Sequence, residues 1–379
     1  MNVKASMSVV TWVGYVLWLA TLGVLIWALT RPVSAPEPPQ PILAREEPPP
    51  PPPPASSAVP VVPPGPLMYA TTRWGSDHGP VRVLWLQPVF LPVTGYLEAN
   101  GKVLEGLESY QRRFVGQHGG VEVDVYFAGW ALTDALWEEY MEAWRARRST
   151  AYPLKWVEPR RQEHNWGSAF LFHELLSSLP EWATTYRYVV INNCDVYLPL
   201  ACPPIVWHAV AAAECVYGEL GLVAYNLEGD NCHTHRLGWT PVVVDADLEP
   251  EASNPHPTTV VLAEAPASGG LAMATTVWSS KALASIGGFE CRGVYSSDDG
   301  RPLALATAAG KRSFLLTHLK VFHPAALSYT HPDFLAWKMR SLAWSNLPER
   351  LPHEPREHLL PWALESEAIF RRWEEGVNH

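Results

Sequence analysis

The segment Tyr188-Val189-Val190-Ile191-Asn192-Asn193-Cys194-Asp195 contains the strongest pattern of a buried strand in the chain. An aromatic residue and three β-branched residues in a row predict a strand that is covered on both faces. Two amides, a thiol and a carboxylate follow the apolar run directly. Because ligands of open α/β sheets bind at the carboxyl ends of strands, Asp195 is the first candidate for a site residue.

The chain before this segment alternates short apolar runs with helical patterns. Strands are predicted at residues 81–86, 121–127, 154–157 and 188–191, and helices at 101–114, from Thr133 to about 147, and from Asn165 or Ser168 to Leu179. Strand–helix units repeated at this spacing predict an α/β domain with a Rossmann-type, mostly parallel sheet and helices on both faces.

Composition and motifs exclude several function classes. The 379 residues carry a formal net charge of -10, so a basic surface for general nucleic-acid binding is not expected. No G-x-G-x-x-G or P-loop sequence follows a predicted strand, which argues against a dinucleotide dehydrogenase or a P-loop kinase. The five cysteines form no C-x-x-C pair, which argues against a zinc ribbon.

The N-terminus has the pattern of a membrane anchor. No charged residue lies between Lys4 and Arg31, and a helix over this run would span about 39 Å, enough for a bilayer core of about 30 Å. We expect a short tail at residues 1–7 and a transmembrane helix at 8–30. A cleaved signal peptide would have a shorter apolar core. The arrangement is typical of a single-pass type II signal-anchor protein, facing the lumen of the Golgi or endoplasmic reticulum in a eukaryote.

A proline-rich stretch follows the predicted anchor. Residues 32–66 contain 16 of the 37 prolines, including the run Pro48–Pro54. Proline fixes φ and lacks an amide donor, so this stretch cannot lie inside a helix or sheet. Residues 31–66 are therefore predicted to be a disordered, extended stalk that carries a folded domain at about 80–325.

Polar and glycine motifs follow the later predicted elements in a defined order. After Thr133-Asp134 and Asn165-Trp166-Gly167 come Asn193-Cys194-Asp195, then Ile286-Gly287-Gly288-Phe289-Glu290, Ser297-Asp298-Asp299 and Val321-Phe322-His323. A carboxylate at a strand end can bind a hard divalent cation together with phosphate oxygens of a substrate. A second carboxylate can accept a proton as a general base.

In this order and spacing the motifs resemble those of family-2-like glycosyltransferases with the GT-A fold. The resemblance covers residues 80–325. It implies transfer of a sugar from a nucleotide-diphosphate donor to a hydroxyl of a glycan, protein or lipid, with Mn²⁺ or Mg²⁺ as cofactor and inversion at the anomeric carbon. The chain departs from the family at Asn193, which replaces the first acid of the Asp-x-Asp motif, and at Asp298-Asp299, which replaces a Glu-Asp pair.

The resemblance also assigns roles to individual residues. It implies Asp195 and His323 as metal ligands, and Asp298 or Asp299 as the catalytic base. The residues that it implies for substrate binding are Asp134, Asn165, Gly167, Asn193, Gly287 and Gly288. The altered acid motifs leave an alternative open, a catalytically inactive GT-A-fold protein that binds carbohydrate or another partner.

Two further segments also carry predictions. Asp230-Asn231-Cys232-His233-Thr234-His235 gathers side chains able to bind metal, and a metal-dependent hydrolase centred there is a third hypothesis. Its spacing is not a standard zinc pattern, and a polar loop on the acceptor side is the simpler interpretation. Residues 326–379 are predicted to be a helical extension that packs on the body.

Overall fold

The structure is a computed structural model. It describes residues 81–114, 120–197, 220–228, 240–245, 259–264, 274–295, 300–324 and 331–377, with single positions between 210 and 218. Within these ranges no helix combines the length and apolar character that crossing a membrane requires. The predicted membrane span at 8–30 and the predicted stalk lie outside them.

The described elements follow one another in a strand–helix alternation that is regular over the first half of the body. The strands are β1 (Val81–Leu91), β2 (Val121–Ala131), β3 (Leu154–Arg161), β4 (Tyr188–Asn192), β5 (Leu220–Glu228), β6 (Thr240–Asp245), β7 (Thr259–Glu264), β8 (Thr275–Ser279) and β9 (Arg312–Phe322). The helices are α1 (Gly95–Phe114), α2 (Asp134–Arg147), α3 (Ser168–Ser177), α4 (Trp182–Thr185), α5 (Ser280–Ser285), α6 (Gly300–Ala308), α7 (Pro332–Ser345) and α8 (Arg356–Val377).

The nine described strands form one sheet in the order β3-β2-β1-β4-β8-β5-β9-β7-β6. β1 to β4 are mutually parallel, β8 runs antiparallel to both β4 and β5, and β5 is parallel to β9. β7 is antiparallel to β9 and to β6. Only β7 and β8 therefore oppose the common direction, which confirms the predicted mostly parallel α/β sheet.

Helices cover both faces of the sheet, as predicted. Side chains of β1 alternate between two apolar layers, since Val83 and Trp85 pack with α1 and α2, whereas Leu84 and Leu86 pack with α3, α5 and α6. Trp278 of β8 is fully buried in the second layer. A third cluster joins α7 and α8 to the region around Trp166 and Val294. The carboxyl ends of β1 to β5 and of β9 thus share one edge of a rigid, doubly covered sheet.

Two local predictions about helix starts had different outcomes. The side chain of Thr133 accepts a hydrogen bond from the amide of Leu136, so its prediction as the N-cap of α2 is confirmed. The cap predicted for the next helix was wrong. Gly167 occupies the N-cap position of α3 and no side chain caps that helix, because Asn165 bonds elsewhere.

Candidate active site

The structure brings Asp195 and His323 together at the carboxyl edge of the sheet. Asp195 follows the end of β4, and His323 follows Phe322, the last residue of β9. The two segments are joined by a short antiparallel bridge, in which the Tyr197 amide donates to the Phe322 carbonyl at 2.9 Å and the Phe322 amide donates back at 3.1 Å. Asp195 Oδ1 then lies 3.4 Å from His323 Nε2.

The pair has the donor set and spacing of a cation site. At 3.4 Å the two atoms are farther apart than in an ordinary N–H···O hydrogen bond of about 2.7–3.2 Å. Neighbouring ligands of an octahedral ion with metal–ligand distances of about 2.1 Å lie about 3 Å apart. A carboxylate suits Mg²⁺ and Mn²⁺, and an imidazole favours Mn²⁺ of the two. The side chains of Asp195 and His323 are 15% and 14% exposed, so neither is completely shut off from solvent.

One ring nitrogen of His323 is unpaired within the described part of the chain. Its Nδ1 atom is buried and has no hydrogen-bond partner there. Buried polar atoms are nearly always paired, so an unpaired one beside a candidate site calls for a functional explanation. Metal-ligating histidines use the second nitrogen to fix the ring. The described residues supply no such contact to His323 Nδ1.

A buried polar network fixes the backbone that leads into Asp195. The Asn192 side chain is fully buried, and its Nδ2 donates to Gln87 Oε1 and to the Asn193 carbonyl, each at 3.1 Å. Thr275 Oγ1 donates to Asn192 Oδ1 at 2.5 Å. These residues come from the adjoining β1, β4 and β8. Sequence reasoning missed this role of Asn192, although an amide at the end of an apolar strand was the available signal.

Cys194 lies beside the acid but does not have the properties of a nucleophile. Burial, and then the neighbouring Asp195 carboxylate, raise the pKa of the Cys194 thiol well above its ordinary value. The thiol therefore stays protonated near neutral pH, and a protonated thiol is a poor nucleophile.

An exposed aromatic surface adjoins the Asp195–His323 pair. The rings of Tyr197 and Phe322 stack with centroids 5.8 Å apart and planes inclined by 24°, and Phe322 is 44% exposed. The ammonium group of Lys102 lies 5.5 Å from the centre of the Tyr197 ring. An aromatic face next to polar ligands is suited to contact with the apolar face of a sugar or a base. Sequence reasoning did not identify this pair.

The Asn165-Trp166-Gly167 motif is held by the C-terminal helix α8. The amide of Asn165 donates to Glu367 Oε1 at 3.0 Å, and its side-chain Nδ2 donates to Ser366 Oγ at 3.2 Å. His164 Nδ1 lies 3.1 Å from the same Glu367 oxygen. Asn165 and Glu367 are both buried. The observed contacts of Asn165 therefore serve to hold this segment against α8. Its predicted contact with substrate stays a prediction.

Removing the Glu367 carboxylate is expected to destabilise this junction. In Glu367→Ala the buried amide of Asn165 loses its acceptor, which costs about 1–3 kcal/mol of unfolding free energy. The matched control is Glu365→Ala on the same helix, whose side chain is 42% exposed and pairs with Arg340. An exposed ion pair contributes only about 0–1 kcal/mol. Urea unfolding monitored by tryptophan fluorescence measures both, and equal losses would contradict the assigned role of Glu367.

Gly167 is required by both conformation and space. Its φ of 82° and ψ of 167° lie in a region that only glycine adopts readily. A Cβ atom at this position would lie 1.8 Å from the Val294 carbonyl oxygen. The glycine therefore lets the start of α3 contact the segment that follows Gly288.

Gly167→Ala is expected to lower the unfolding free energy by about 3 kcal/mol, because backbone strain of about 1–3 kcal/mol adds to the displacement of Val294. Gly287→Ala is the matched control. Its φ of 84° is also positive, but no atom lies within 4 Å of the added Cβ, so about 1–2 kcal/mol is expected. Chemical denaturation of the two variants tests the difference. Equal losses would show that crowding at Val294 contributes nothing.

Gly287 and Gly288 end helix α5. Their φ angles are 84° and 79°, and the Gly288 amide donates to the Leu283 carbonyl at 2.9 Å. This turn places Phe289 in the core, 5.3 Å from Phe172 and 6.1 Å from Trp278 between ring centroids. The glycines are thus explained by the backbone turn, and a role in substrate binding stays a prediction.

The remaining predicted residues lie away from the pair or beyond the described ranges. Asp134 begins α2 after β2, two strands from β4, and its 94% exposed carboxylate pairs with Arg161 at 2.7 Å. Asp298 and Asp299 fall outside the described residues, as does the 230–235 segment. The described chain resumes at Gly300 with α6.

Comparison with known proteins gives low similarities throughout. No family model and no curated protein sequence matches the chain. A structure of GalNAc-T7 with UDP, GalNAc and Mn²⁺ is 10% identical, with a TM-score of 0.38 over 76% of this chain and 55% of its own. Glucosyl-3-phosphoglycerate synthase from M. tuberculosis is 15% identical, with a TM-score of 0.32 over 71% of this chain and 82% of its own.

A CMP:2-keto-3-deoxy-manno-octonic acid synthetase complexed with CTP is also similar. It is 10% identical, with a TM-score of 0.30 over 65% of this chain and 90% of its own. The chain spans about half the length of the GalNAc-T7 structure.

Proposed function

We propose that the chain is a glycosyltransferase of the GT-A type that transfers a sugar from a nucleotide-diphosphate donor to an acceptor hydroxyl. The observation that carries the proposal is the Asp195–His323 pair, formed at the carboxyl edge of the sheet by residues far apart in sequence. Both are positions that the resemblance to family-2-like glycosyltransferases implies as metal ligands.

Each residue of the proposed site has a separate role in the reaction. Asp195 and His323 would hold Mn²⁺ or Mg²⁺, which when bound neutralises the charge of the leaving diphosphate. The Asn192 network keeps the Asp195 loop in place, so the site needs little reorganisation when the donor binds. The exposed ring of Phe322 provides a face for the sugar or the base. In this proposal Asp298 accepts the proton of the acceptor hydroxyl, and attack opposite the diphosphate inverts the anomeric carbon.

The predicted N-terminal anchor bears on where the enzyme would act. An anchor at residues 8–30 with a proline-rich stalk would tether the enzyme to a membrane as a single-pass type II protein. An acceptor on a glycan, a protein or a lipid would then be met close to the membrane surface.

One observation favours a second candidate, a catalytically inactive relative that binds carbohydrate. Asn193 stands where the Asp-x-Asp motif has its first acid, so the loop after β4 carries one carboxylate in place of two. The backbone amide of Asn193 holds the loop in place, because it donates to the Ala274 carbonyl at 2.8 Å. Fewer carboxylates mean weaker binding of a hard cation.

A single assay separates the two candidates. The full-length chain in detergent is incubated with a panel of nucleotide sugars, with Mn²⁺ or with a chelator, and the released nucleotide is measured. Calorimetry with the same donors measures binding. Metal-dependent release supports the transferase, and donor binding without release supports the inactive relative. Neither binding nor release with any donor would contradict both.

A further inference from the structure

A second cluster of metal-binding side chains lies apart from the Asp195–His323 pair. His173 comes from α3, Cys291 from the segment after α5, and His353 from the connection between α7 and α8. One nitrogen of each ring and the sulfur of Cys291 all lie within 4.8 Å of one another. Cys291 Sγ is 3.3 Å from His353 Nδ1, and the two imidazole rings stack with centroids 4.1 Å apart.

The backbone fixes the three ligands relative to one another. Cys291 and His353 form a parallel bridge, and the amide of Glu354 donates to the Cys291 carbonyl at 3.1 Å. His173 lies on a regular helix whose apolar side is buried in the core. The cluster therefore joins three separate parts of the chain at one point, and its geometry does not depend on a single flexible side chain.

We propose that His173, Cys291 and His353 bind one Zn²⁺ ion. Thiolate and imidazole are the ligands that zinc prefers, at about 2.3 Å for sulfur and about 2.0–2.1 Å for nitrogen. In a tetrahedron with those bond lengths, neighbouring ligand atoms lie about 3.3–3.6 Å apart. The sulfur–nitrogen distance of 3.3 Å is close to the separation of about 3.5 Å expected for a sulfur–nitrogen pair. The His173 nitrogen lies within 4.8 Å of both other ligand atoms.

The burial of the ligands is also that of a zinc site. Cys291 is buried, His173 is partly buried and His353 is exposed. A water molecule can therefore occupy the fourth position from the solvent side. On binding, the Cys291 thiol releases its proton to solvent and the thiolate sulfur forms the bond to zinc, so no oxidant or further reactant is needed. The group contains no carboxylate, which distinguishes its ligand chemistry from that of the Asp195–His323 pair.

The cluster lies where α3, the segment after α5 and the C-terminal helices meet, so a bound ion would link these parts of the chain. Cys291 lies three residues before Val294, which contacts Gly167 at the start of α3. His353 lies just before α8, the helix that holds Asn165 through Glu367. Zinc at this point would fasten the C-terminal helices to α3 and to the segment leading towards Asp298, and would so stabilise the edge that carries the candidate active site without taking part in the chemistry.

The test uses the full-length chain with Zn²⁺ and with Co²⁺ as a spectroscopic probe. Elemental analysis of chelator-free protein is expected to give about one zinc per chain, and Co²⁺ is expected to give the intense thiolate-to-metal absorption of a cysteine-bound tetrahedral ion. Cys291→Ser should lose that absorption. His353→Gln, at an exposed position that does not endanger folding, should weaken zinc binding at least about tenfold, since even outer partners of a metal contribute that much.

Three controls make the result specific to this cluster. Cys194→Ser removes another thiol and should keep the cobalt absorption. Asp195→Asn should keep the zinc while losing Mn²⁺-dependent turnover, so failure of this proposal is distinct from failure of the proposed function. The proposal is overturned if Cys291→Ser keeps the thiolate absorption, if wild-type protein binds Co²⁺ without it, or if changing His233 and His235 abolishes it.

Discussion

Asp195→Asn is expected to lower metal-dependent turnover of a nucleotide sugar by about 10³-fold or more. The change removes the charge of the carboxylate while keeping its shape, so the loop after β4 should keep its conformation. A bound cation acting as Lewis acid contributes several kcal/mol to the transition state, and each 1.36 kcal/mol is a factor of ten in rate. Loss of the Asp195 carboxylate, whose Oδ1 lies 3.4 Å from His323 Nε2, should remove most of that contribution.

The measurement is nucleotide release as a function of Mn²⁺ concentration, with the thermal midpoint as a check on folding. Asp333→Asn, at an exposed position in the first turn of α7, is the matched substitution and should leave turnover unchanged. His323→Gln should resemble Asp195→Asn, and the double variant should lose less than the product of the two effects, because the two residues serve one ion. Normal turnover of Asp195→Asn at limiting Mn²⁺ would remove this residue from the site.

The first half of the body could be predicted because its strands are short apolar runs or alternate apolar with polar residues. The runs at 81–86, 121–127 and 188–191 all lie within observed strands. Their ends were predicted less well. β1 continues through Pro88 to Leu91, since its register with β2 extends to the pair Leu91 and Ala131. Such an extension depends on the neighbouring strand and leaves no pattern in the sequence of β1 itself.

The second half could not be assigned by the same reasoning. β8 has the sequence Thr-Thr-Val-Trp-Ser, and all five residues are buried. A run with three hydroxyl side chains does not look like a buried strand. It is stable there partly because Thr275 donates to Asn192 on the neighbouring strand, a partner 83 residues away. Tertiary context of this kind overrides local propensity.

In the candidate site, too, some features follow from the local sequence and others depend on tertiary contacts. Asp195 was found because it follows an apolar strand, and His323 was found through the resemblance to a known order of motifs. Their proximity depends on the bridge between Tyr197 and Phe322. Nothing local to either residue encodes that bridge. The cluster of His173, Cys291 and His353 shows no spacing pattern, because its members come from three distant elements. Ligands that meet only through the fold cannot be found from spacing alone.

Asp298→Asn is expected to lower turnover by about 10²–10⁴-fold, the usual contribution of a positioned general base. Donor affinity should change little, because the lost interaction matters mainly in the transition state. Asp298 comes four positions after Val294, a span of at most about 14 Å of chain. Val294 contacts Gly167, which follows the carboxyl end of β3. Asp298 therefore follows closely on a segment that packs against the start of α3.

Asp299→Asn is the matched control for the neighbouring acid. Asp299 directly precedes α6, which begins at Gly300, and aspartate and asparagine are about equally good residues before a helix. Asp299→Asn should therefore keep its stability and lower turnover less than Asp298→Asn does, whereas Asp299→Ala should cost about 0.5–2 kcal/mol of stability if the residue caps the helix. Calorimetry gives donor affinity and nucleotide release gives turnover. Loss of turnover in Asp299→Asn alone would exchange the two roles, and normal turnover in both variants would leave the inverting mechanism without its base.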